Sequence, residues 1–328
     1  MKYLRAELHN HSTQSDGALT VEQLAAYAAG KDFGVLALTD HNTAAGQAAA
    51  AEAIRQNGYD LGLLPGIEVT TFYGHILALG LGQMVDLTLL DPNAPEAFFR
   101  KLRQAGARAV GIAHPYCIGE PLMVGCRFGL TLRDWGAVDY IEVANTAMSE
   151  SPLGAHPLAE RFSGNGQALA LWESLVLAGH RLAAVSGKDL HAAPVEAEVF
   201  TTYALVDDGC ALPRTEAVLA AILTQRTLVT KGPLFDIQVR DGGLVVTFAQ
   251  HCPYLGWGVR RAGRSLTLEV RDSTGHVQHA ALRRETPLVL PLPPGAASAV
   301  VKLYDGPCDY EHLAAVGAPV YLPKEATP

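Results

Sequence analysis

Six of the twelve histidines in this 328-residue chain occur in short clusters with carboxylate residues, beside apolar segments typical of strands. Imidazole nitrogens and carboxylate oxygens are ligands of zinc and similar divalent ions, and one zinc ion takes about four of them. Nine ligands are too many for one ion, so the sequence predicts two or three ions, an arrangement typical of hydrolytic enzymes. The predicted ligands are His9, His11, Asp16, His41, Glu68, His75, His114, Asp189 and His191.

Two pairs of predicted ligands are spaced two residues apart: His9 with His11, and Asp189 with His191. Residues i and i+2 of a strand point to the same face, so both members of a pair can reach one ion. Glu68 can bridge two ions through its two carboxylate oxygens. The spacing therefore predicts that distant parts of the chain meet around shared cations.

Two neighbouring residues are expected to support these ligands. Asp40 directly precedes His41 and is expected to orient a histidine rather than to bind an ion. His114 directly precedes Pro115, and the residue before a proline is normally held extended.

Three further residues are predicted to position the substrate: Lys188, Arg127 and Asn145. Lys188 directly precedes Asp189 and could bind a substrate anion or point away at the strand rim. Arg127 is the preferred candidate for holding a phosphate. Asn145 follows a predicted strand and is expected to line the pocket. Two other cations in predicted rim loops, Arg133 and Lys231, are weaker candidates for the same role.

Strand-like and helix-like segments alternate over residues 1–232, which predicts an α/β domain with a parallel sheet, either open or closed into a barrel. The polar residues follow the apolar part of their strands. Since barrel active sites form at the carboxyl ends of the strands, the pattern favours a barrel. His75 is the exception, because it stands at the start of its strand, and it would reach the same rim only if a short loop turned the chain after Glu68.

The pattern changes after residue 232. Apolar and polar residues alternate over 235–240 and 266–271, and Asp241-Gly242 is a hairpin signal. Residues 233–328 are therefore predicted to form a small antiparallel β-sandwich-like domain. The remaining histidines are expected to be structural or exposed: His156, His180, His251, His276, His279 and His312.

Composition limits the compartment and the partners. The formal net charge of −8 argues against long nucleic acids as the main partner, because they require many cationic contacts. No apolar run reaches the length needed to cross a membrane, and we expect no signal peptide, because Glu7 and His9 interrupt the apolar residues near the start. The five cysteines are scattered and are expected to be reduced thiols, so the sequence predicts a cytoplasmic protein. The oligomeric state is left open.

Six motifs occur in a fixed order: H-x-H-x4-D-G from His9, T-D-H ending at His41, G-I-E at Glu68, G-H-I-L-A-L-G around His75, A-H-P at His114, and S-G-x-D-x-H ending at His191. This set, covering residues 4 to about 235, resembles the polymerase and histidinol phosphatase (PHP) family of metal-dependent hydrolases. Residues 171–173 and 226–234 further resemble its carbaryl hydrolase-like branch.

The resemblance implies a distorted (β/α)7 barrel that holds two or three Zn, Mn or Fe ions. Many members of the family hydrolyse phosphoesters. The sequence departs from the common S-G-S-D-A-H motif at Lys188 and Leu190. The resemblance also implies which residues bind each ion. His9, His11, Glu68 and Asp189 would bind the first ion, and Glu68, His75 and His114 the second. Asp16, His41 and His191 would bind the third.

The predicted function is hydrolysis of a small phosphorylated molecule, of nucleotide or sugar phosphate type, by a metal-bridged hydroxide. Hydrolysis of a carbamate, ester or amide is an alternative, since the same ligands serve both electrophiles. A non-catalytic module that binds metal or ligand is a second alternative. A cationic pocket beside the ions would favour a phosphoester, and an apolar pocket would favour a carbonyl substrate.

Overall fold

The computed structural model describes residues 1–119, 125–147, 164–192, 199–240, 242–249, 266–283 and 286–322. The helices in these ranges are α1 (Val21–Gly30), α2 (Gln47–Asn57), α3 (Glu96–Gln104), α4 (Asn165–Leu177) and α5 (Arg214–Leu223). The strands are β1 (Lys2–Glu7), β2 (Val35–Leu38), β3 (Gly62–Thr71), β4 (Gly74–Leu79), β5 (Ala109–Ile112), β6 (Tyr140–Asn145), β7 (Ala183–Gly187), β8 (Thr201–Val206), β9 (Thr227–Thr230), β10 (Phe235–Arg240), β11 (Gly243–Phe248), β12 (Leu266–Asp272), β13 (Val277–Leu282), β14 (Leu288–Pro291), β15 (Ser298–Tyr304), β16 (Leu313–Val316) and β17 (Val320–Tyr321).

Local signals in the sequence account for the helix ends. Helix α1 begins with a capping box, in which the Thr20 side chain accepts from the Gln23 amide and the Gln23 side chain accepts from the Thr20 amide. Helix α2 ends at Gly58, which adopts the left-handed conformation that favours glycine. These signals agree with the observed ends of the two helices.

Fourteen strands form one mixed sheet, and β10, β11 and β14 form a separate antiparallel sheet. Strands β1, β2 and β3 are parallel, as are β5, β6 and β7. The prediction of a parallel sheet is correct for these two groups. It is wrong for β4, β8 and β9, each of which runs antiparallel to its neighbours in residues 1–232.

The short turn between β3 and β4 explains why β4 is antiparallel. Thr71 pairs with Gly74, so only two residues connect the strands, whereas a parallel pair needs a long crossover. This hairpin turns the chain back after Glu68 and brings His75 to the same rim.

The two ends of this part of the sheet approach one another. The segment after β7 pairs with the segment after β1, because the Asp189 amide donates to the His9 carbonyl (2.7 Å) and Leu190 pairs with Asn10. Within β7, the Ser186 amide donates to the Thr202 hydroxyl of β8 (2.7 Å). The two pairs of predicted ligands are thereby placed side by side.

The predicted hairpin at residues 241–242 is confirmed, since Arg240 of β10 pairs with Gly243 of β11. The three-stranded sheet shares a hydrophobic core with β12 and β15, and Phe235 and Leu244 pack in the same cluster as Leu268 and Val301. Strand β16 continues the large sheet by pairing with β9. The boundary after residue 232 stays a prediction.

Candidate metal centre

The structure brings all nine predicted ligands to one region at the carboxyl ends of β1, β2, β5 and β7 and along the β3–β4 hairpin. Six of these side chains are buried: His9, His11, Glu68, His75, His114 and Asp189. The side chains of His41 and His191 are partly exposed, and that of Asp16 is 58% exposed.

The first group of ligands surrounds one point between the strand ends. His9 Nε2 lies 3.2 Å from His11 Nε2, 3.2 Å from Glu68 Oε2 and 3.3 Å from Asp189 Oδ1. His11 Nε2 lies 2.9 Å from Asp189 Oδ1 and 3.3 Å from Glu68 Oε2. Four atoms placed about 2.0–2.1 Å from one ion in a tetrahedron lie about 3.3 Å apart. The residues present therefore fit a divalent ion.

Glu68 provides a second indication of the same kind. Its Oε2 atom is fully buried and accepts no hydrogen bond of acceptable geometry. A buried carboxylate oxygen without a partner is costly, and an ion at the centre of this group would satisfy it.

The second group is built on the other oxygen of Glu68. Glu68 Oε1 lies 2.9 Å from His75 Nδ1 and 3.1 Å from His114 Nε2. Nε2 of His75 is buried without a hydrogen-bond partner. His41 Nδ1 also lies 2.9 Å from Glu68 Oε2, the oxygen that faces the first group.

The third group is more open. His191 Nε2 lies 3.4 Å from Asp16 Oδ1 and 3.3 Å from His41 Nε2, and His41 Nε2 lies 3.6 Å from the same Asp16 oxygen. His11 lies within reach of this group as well. An ion held there would face solvent.

The charges of the ligands are strongly coupled. Burial alone would lower the pKa of His11, but Asp189 and Glu68 raise it to about 9. Burial likewise opposes protonation of His114, whose pKa Glu68 raises to about 9. Burial would raise the pKa values of Glu68 and Asp189, but the imidazoles hold both well below their usual range. Metal ions compete with protons for such ligands.

Two predicted ligands have strained backbones. His114 has a φ of 24° and Asp189 a φ of 52°, both in the region that residues other than glycine rarely adopt. The expectation that His114 is held extended before Pro115 is therefore wrong. Strain of this kind collects at functional sites, where the surrounding contacts enforce it.

Residues 7–113 match the family profile described as PHP domain. This part of the chain is therefore similar to the PHP domain family. Over 154 residues it is 34% identical to the 3',5'-nucleoside bisphosphate phosphatase of Chromobacterium violaceum, with 40% of this chain and 50% of the relative covered. Over 82 residues it is 42% identical to the 5'-3' exoribonuclease Rnm of Escherichia coli, with 25% and 28% covered. The chain thus spans half or less of the length of these relatives.

One solved structure covers nearly the whole chain. It is a two-domain protein from Bacteroides vulgatus containing a predicted PHP-like metal-dependent phosphoesterase, with a TM-score of 0.53 and 14% identity. The alignment covers 97% of this chain and 95% of that one, and it shows the fold alone. These relatives do not include a carbaryl hydrolase, so that branch stays a prediction.

Behind the predicted ligands lies a buried carboxylate that was not predicted from the sequence. Glu142 Oε1 accepts from His9 Nδ1 (3.0 Å), and Glu142 Oε2 accepts from the His114 amide (2.8 Å) and from Asn145 Nδ2 (3.1 Å). A partner on the second ring nitrogen fixes how a histidine faces an ion. Asp40 has a different role from the one expected, because it accepts from Ser12 and Ser15 and orients no histidine.

The three predicted substrate residues lie in different surroundings. Asn145 is buried and donates to Glu142 and to Asp189 Oδ2 (3.0 Å), which favours positioning of a ligand over contact with substrate. The Lys188 side chain is buried, and its ammonium lies 6.0 Å from the centre of the Tyr27 ring in α1. Arg127 is exposed at the rim.

Arg127 is linked to the second group through its neighbour. The Cys126 carbonyl accepts from His114 Nδ1 (3.2 Å), so the loop that carries Arg127 also orients His114. The two weaker candidates are attached elsewhere: the Arg133 amide donates to Glu96, and the Lys231 ammonium lies 4.6 Å from the centre of the Phe200 ring.

Glu269, His279 and Cys308 form another group of donor atoms, located in the C-terminal region. Glu269 Oε1 lies 2.8 Å from the Lys302 ammonium, and Glu269 Oε2 lies 3.1 Å from His279 Nε2. Ion pairs therefore account for this group, in agreement with a structural role for His279. His156 and His251 lie outside the described residues.

Proposed function

We propose that this chain is a metal-dependent phosphoesterase that acts on a small phosphorylated molecule of nucleotide or sugar phosphate type. The arrangement of His9, His11, Glu68 and Asp189 at the spacing of a tetrahedral ion carries the proposal. The similarity to a nucleoside bisphosphate phosphatase over 154 residues supports the phosphate ester as the substrate.

The proposed cofactors are two or three ions of Zn, Mn or Fe. Bound ions supply Lewis acidity and lower the pKa of water, which is the chemistry that phosphoester hydrolysis requires. Glu68 would link two of the positions, because its two oxygens face different groups of histidines. Asn145 holds Asp189 Oδ2 and thereby directs Asp189 Oδ1 toward His9 and His11.

Arg127 is the proposed phosphate-binding residue. Its guanidinium is exposed at the rim, one residue from the carbonyl that orients His114. An arginine can form two parallel hydrogen bonds with a phosphate, so it would hold the group in a defined orientation beside the ions.

The remaining predictions complete the proposal. Residues 1–232 would form a distorted (β/α)7 barrel, and residues 233–328 would form an accessory domain. A small anionic substrate and a cytoplasmic location are proposed, and long nucleic acids are not expected as partners. No helix in the described part of the chain combines the length and the apolar character needed to cross a membrane.

Hydrolysis assays with metal-loaded protein test the proposal. We expect release of phosphate from phosphomonoesters in the presence of Mn or Zn, and little hydrolysis of carboxyl esters. Asp189→Ala should abolish turnover, whereas the control variant Asp91→Ala, which alters an exposed turn, should retain it. Hydrolysis of carboxyl esters or carbamates instead of phosphoesters would overturn the proposal.

A further inference from the structure

The tip of the β3–β4 hairpin carries two aromatic residues exposed to solvent. Phe72 is 80% exposed and Tyr73 is 46% exposed. The two-residue loops of hairpins normally contain small or polar residues such as Asn, Asp and Gly. Two large apolar rings at this position are unfavourable in water, and exposed apolar groups of this kind often mark binding sites.

The hairpin that carries these rings also carries predicted metal ligands. Glu68 lies on one arm and His75 on the other, and Thr70 of the first arm contacts His41 Nδ1 at 2.6 Å. Phe72 lies two residues beyond Thr70, which corresponds to about 7 Å along a strand. The distance along the strand from Thr70, which contacts His41, to Phe72 is thus similar to the distance between the base and the phosphate of a nucleotide.

A second loop supports the hairpin tip. The Gly129 amide donates to the Tyr73 carbonyl (2.7 Å), and the Phe128 amide donates to the Pro115 carbonyl (3.0 Å). Gly125 permits this approach, because a Cβ atom there would lie 2.1 Å from the Thr71 carbonyl oxygen. The hairpin tip is therefore held against the turn that follows His114.

The loop that supports the hairpin tip also carries an exposed cation, Arg127. The Arg127 guanidinium lies 5.8 Å from the centre of the Tyr116 ring. Proteins that bind unpaired bases combine aromatic faces with arginine, whose planar group stacks on rings and binds phosphate. The rim of the second ligand group carries both features.

We propose that Phe72 and Tyr73 form a stacking platform for the base of a nucleotide substrate, with Arg127 holding its phosphate. This inference rests on the proposed phosphoesterase function and narrows it to nucleotides over sugar phosphates. Stacking uses the π-face that every base has, so the enzyme would discriminate little among the four bases.

The test compares Phe72→Ala with two partners: Phe72→Trp, which keeps an aromatic face, and Val289→Ala, which removes another exposed apolar side chain from β14. The substrates are adenosine 5'-monophosphate and ribose 5-phosphate. We expect Phe72→Ala to raise KM for the nucleotide about tenfold with little change in kcat. Its KM for the sugar phosphate should be unchanged, and Phe72→Trp should behave like the wild type.

Calorimetric binding of a non-hydrolysable nucleoside phosphonate to the metal-loaded protein provides a readout independent of turnover. We expect Phe72→Ala to weaken this binding about tenfold and Val289→Ala to leave it unchanged. An equal change for nucleotide and sugar phosphate, or no change for either, would overturn the platform. Absence of any phosphoester hydrolysis by the wild type would instead overturn the proposed function, while the binding data would still decide the role of Phe72.

Discussion

Glu142 is a buried residue that holds predicted ligands in place without being one of them. It contacts the His9 ring, the His114 amide and the Asn145 side chain through its two oxygens. All of these partners can donate, so two accepting oxygens match the surroundings of the side chain. Outer partners of this kind commonly contribute a factor of about 10–100 to metal affinity.

Replacing Glu142 with Gln tests this role. The amide keeps the shape of the side chain but puts an N–H group against at least one of the donors. We expect metal affinity to fall about 10–100-fold, measured by competition with a chromogenic chelator. Glu22→Gln, at an exposed position of α1, is the matched control. Unchanged affinity in Glu142→Gln would show that the contacts do not position His9 and His114.

The coupled pKa values predict how metal binding depends on pH. His11 and His114 have pKa values raised to about 9 by the surrounding carboxylates, so both carry a proton near neutral pH in the metal-free protein. An ion must displace these protons, and its affinity should therefore rise with pH up to about 9. We expect a gain of about tenfold per pH unit for each proton displaced. Equal affinity at about pH 6.5 and about pH 8.5 would contradict this coupling.

Ligand types and spacing were predictable from the sequence, but the supporting residues were not. The i, i+2 spacing correctly placed His9 and His11 in one group, whereas Asp189, with a left-handed φ of 52°, and His191 lie in different groups. Glu142 was not assigned because regular alternation places it and Asn145 on opposite faces. The pairing of β6 with β7 shifts register between Glu142 and Ala144, and this bulge lets both side chains reach the site. Bulges leave no clear signal in a single sequence.

At the scale of elements, the predicted alternation of strands and helices holds from β1 to β3, since α1 and α2 separate these strands. Strand β8 was missed, although Thr201, Thr202 and Tyr203 are typical strand residues. Its antiparallel pairing with β1 departs from the alternating pattern used to place the others. The directions of β4 and β8 depend on long-range pairing, which local periodicity does not encode.

Close packing at the end of β7 gives a prediction for this element. A Cβ atom on Gly187 would lie 2.2 Å from Glu142 Oε1 and 2.4 Å from His9 Cβ. Gly187→Ala should therefore displace both residues, destabilise the protein by about 1–3 kcal/mol and weaken metal binding. Thermal unfolding with and without metal measures both effects. Gly209→Ala is the control, since no atom lies within 4 Å of the added Cβ there. Equal stability of the two variants would refute the packing argument.

At the scale of the molecule, strand pairing, a hydrogen bond and ion pairs connect the two predicted domains in addition to the covalent chain. Strand β16 pairs with β9, and the Ser298 hydroxyl of β15 donates to the Val176 carbonyl of α4 (3.0 Å). The Lys302 ammonium of β15 forms a buried ion pair with Glu173 of α4 and another with Glu269 of β12. These contacts make separate unfolding of the two regions costly.

The Lys302 cluster therefore predicts cooperative unfolding of residues 1–232 and 233–328. Lys302→Met would remove the cation shared by Glu173 and Glu269 and leave them only Arg271 and His279 as partners, so we expect a lower free energy of unfolding. We expect one unfolding transition in denaturant, monitored by both far-UV dichroism and metal release, shifted as a whole in the variant. Lys101→Met, at an exposed position of α3, should leave the midpoint unchanged. Two transitions in Lys302→Met, with metal release following only the second, would contradict this prediction. The regions would then be independent domains divided near residue 232, and the shared sheet would contribute little to their coupling.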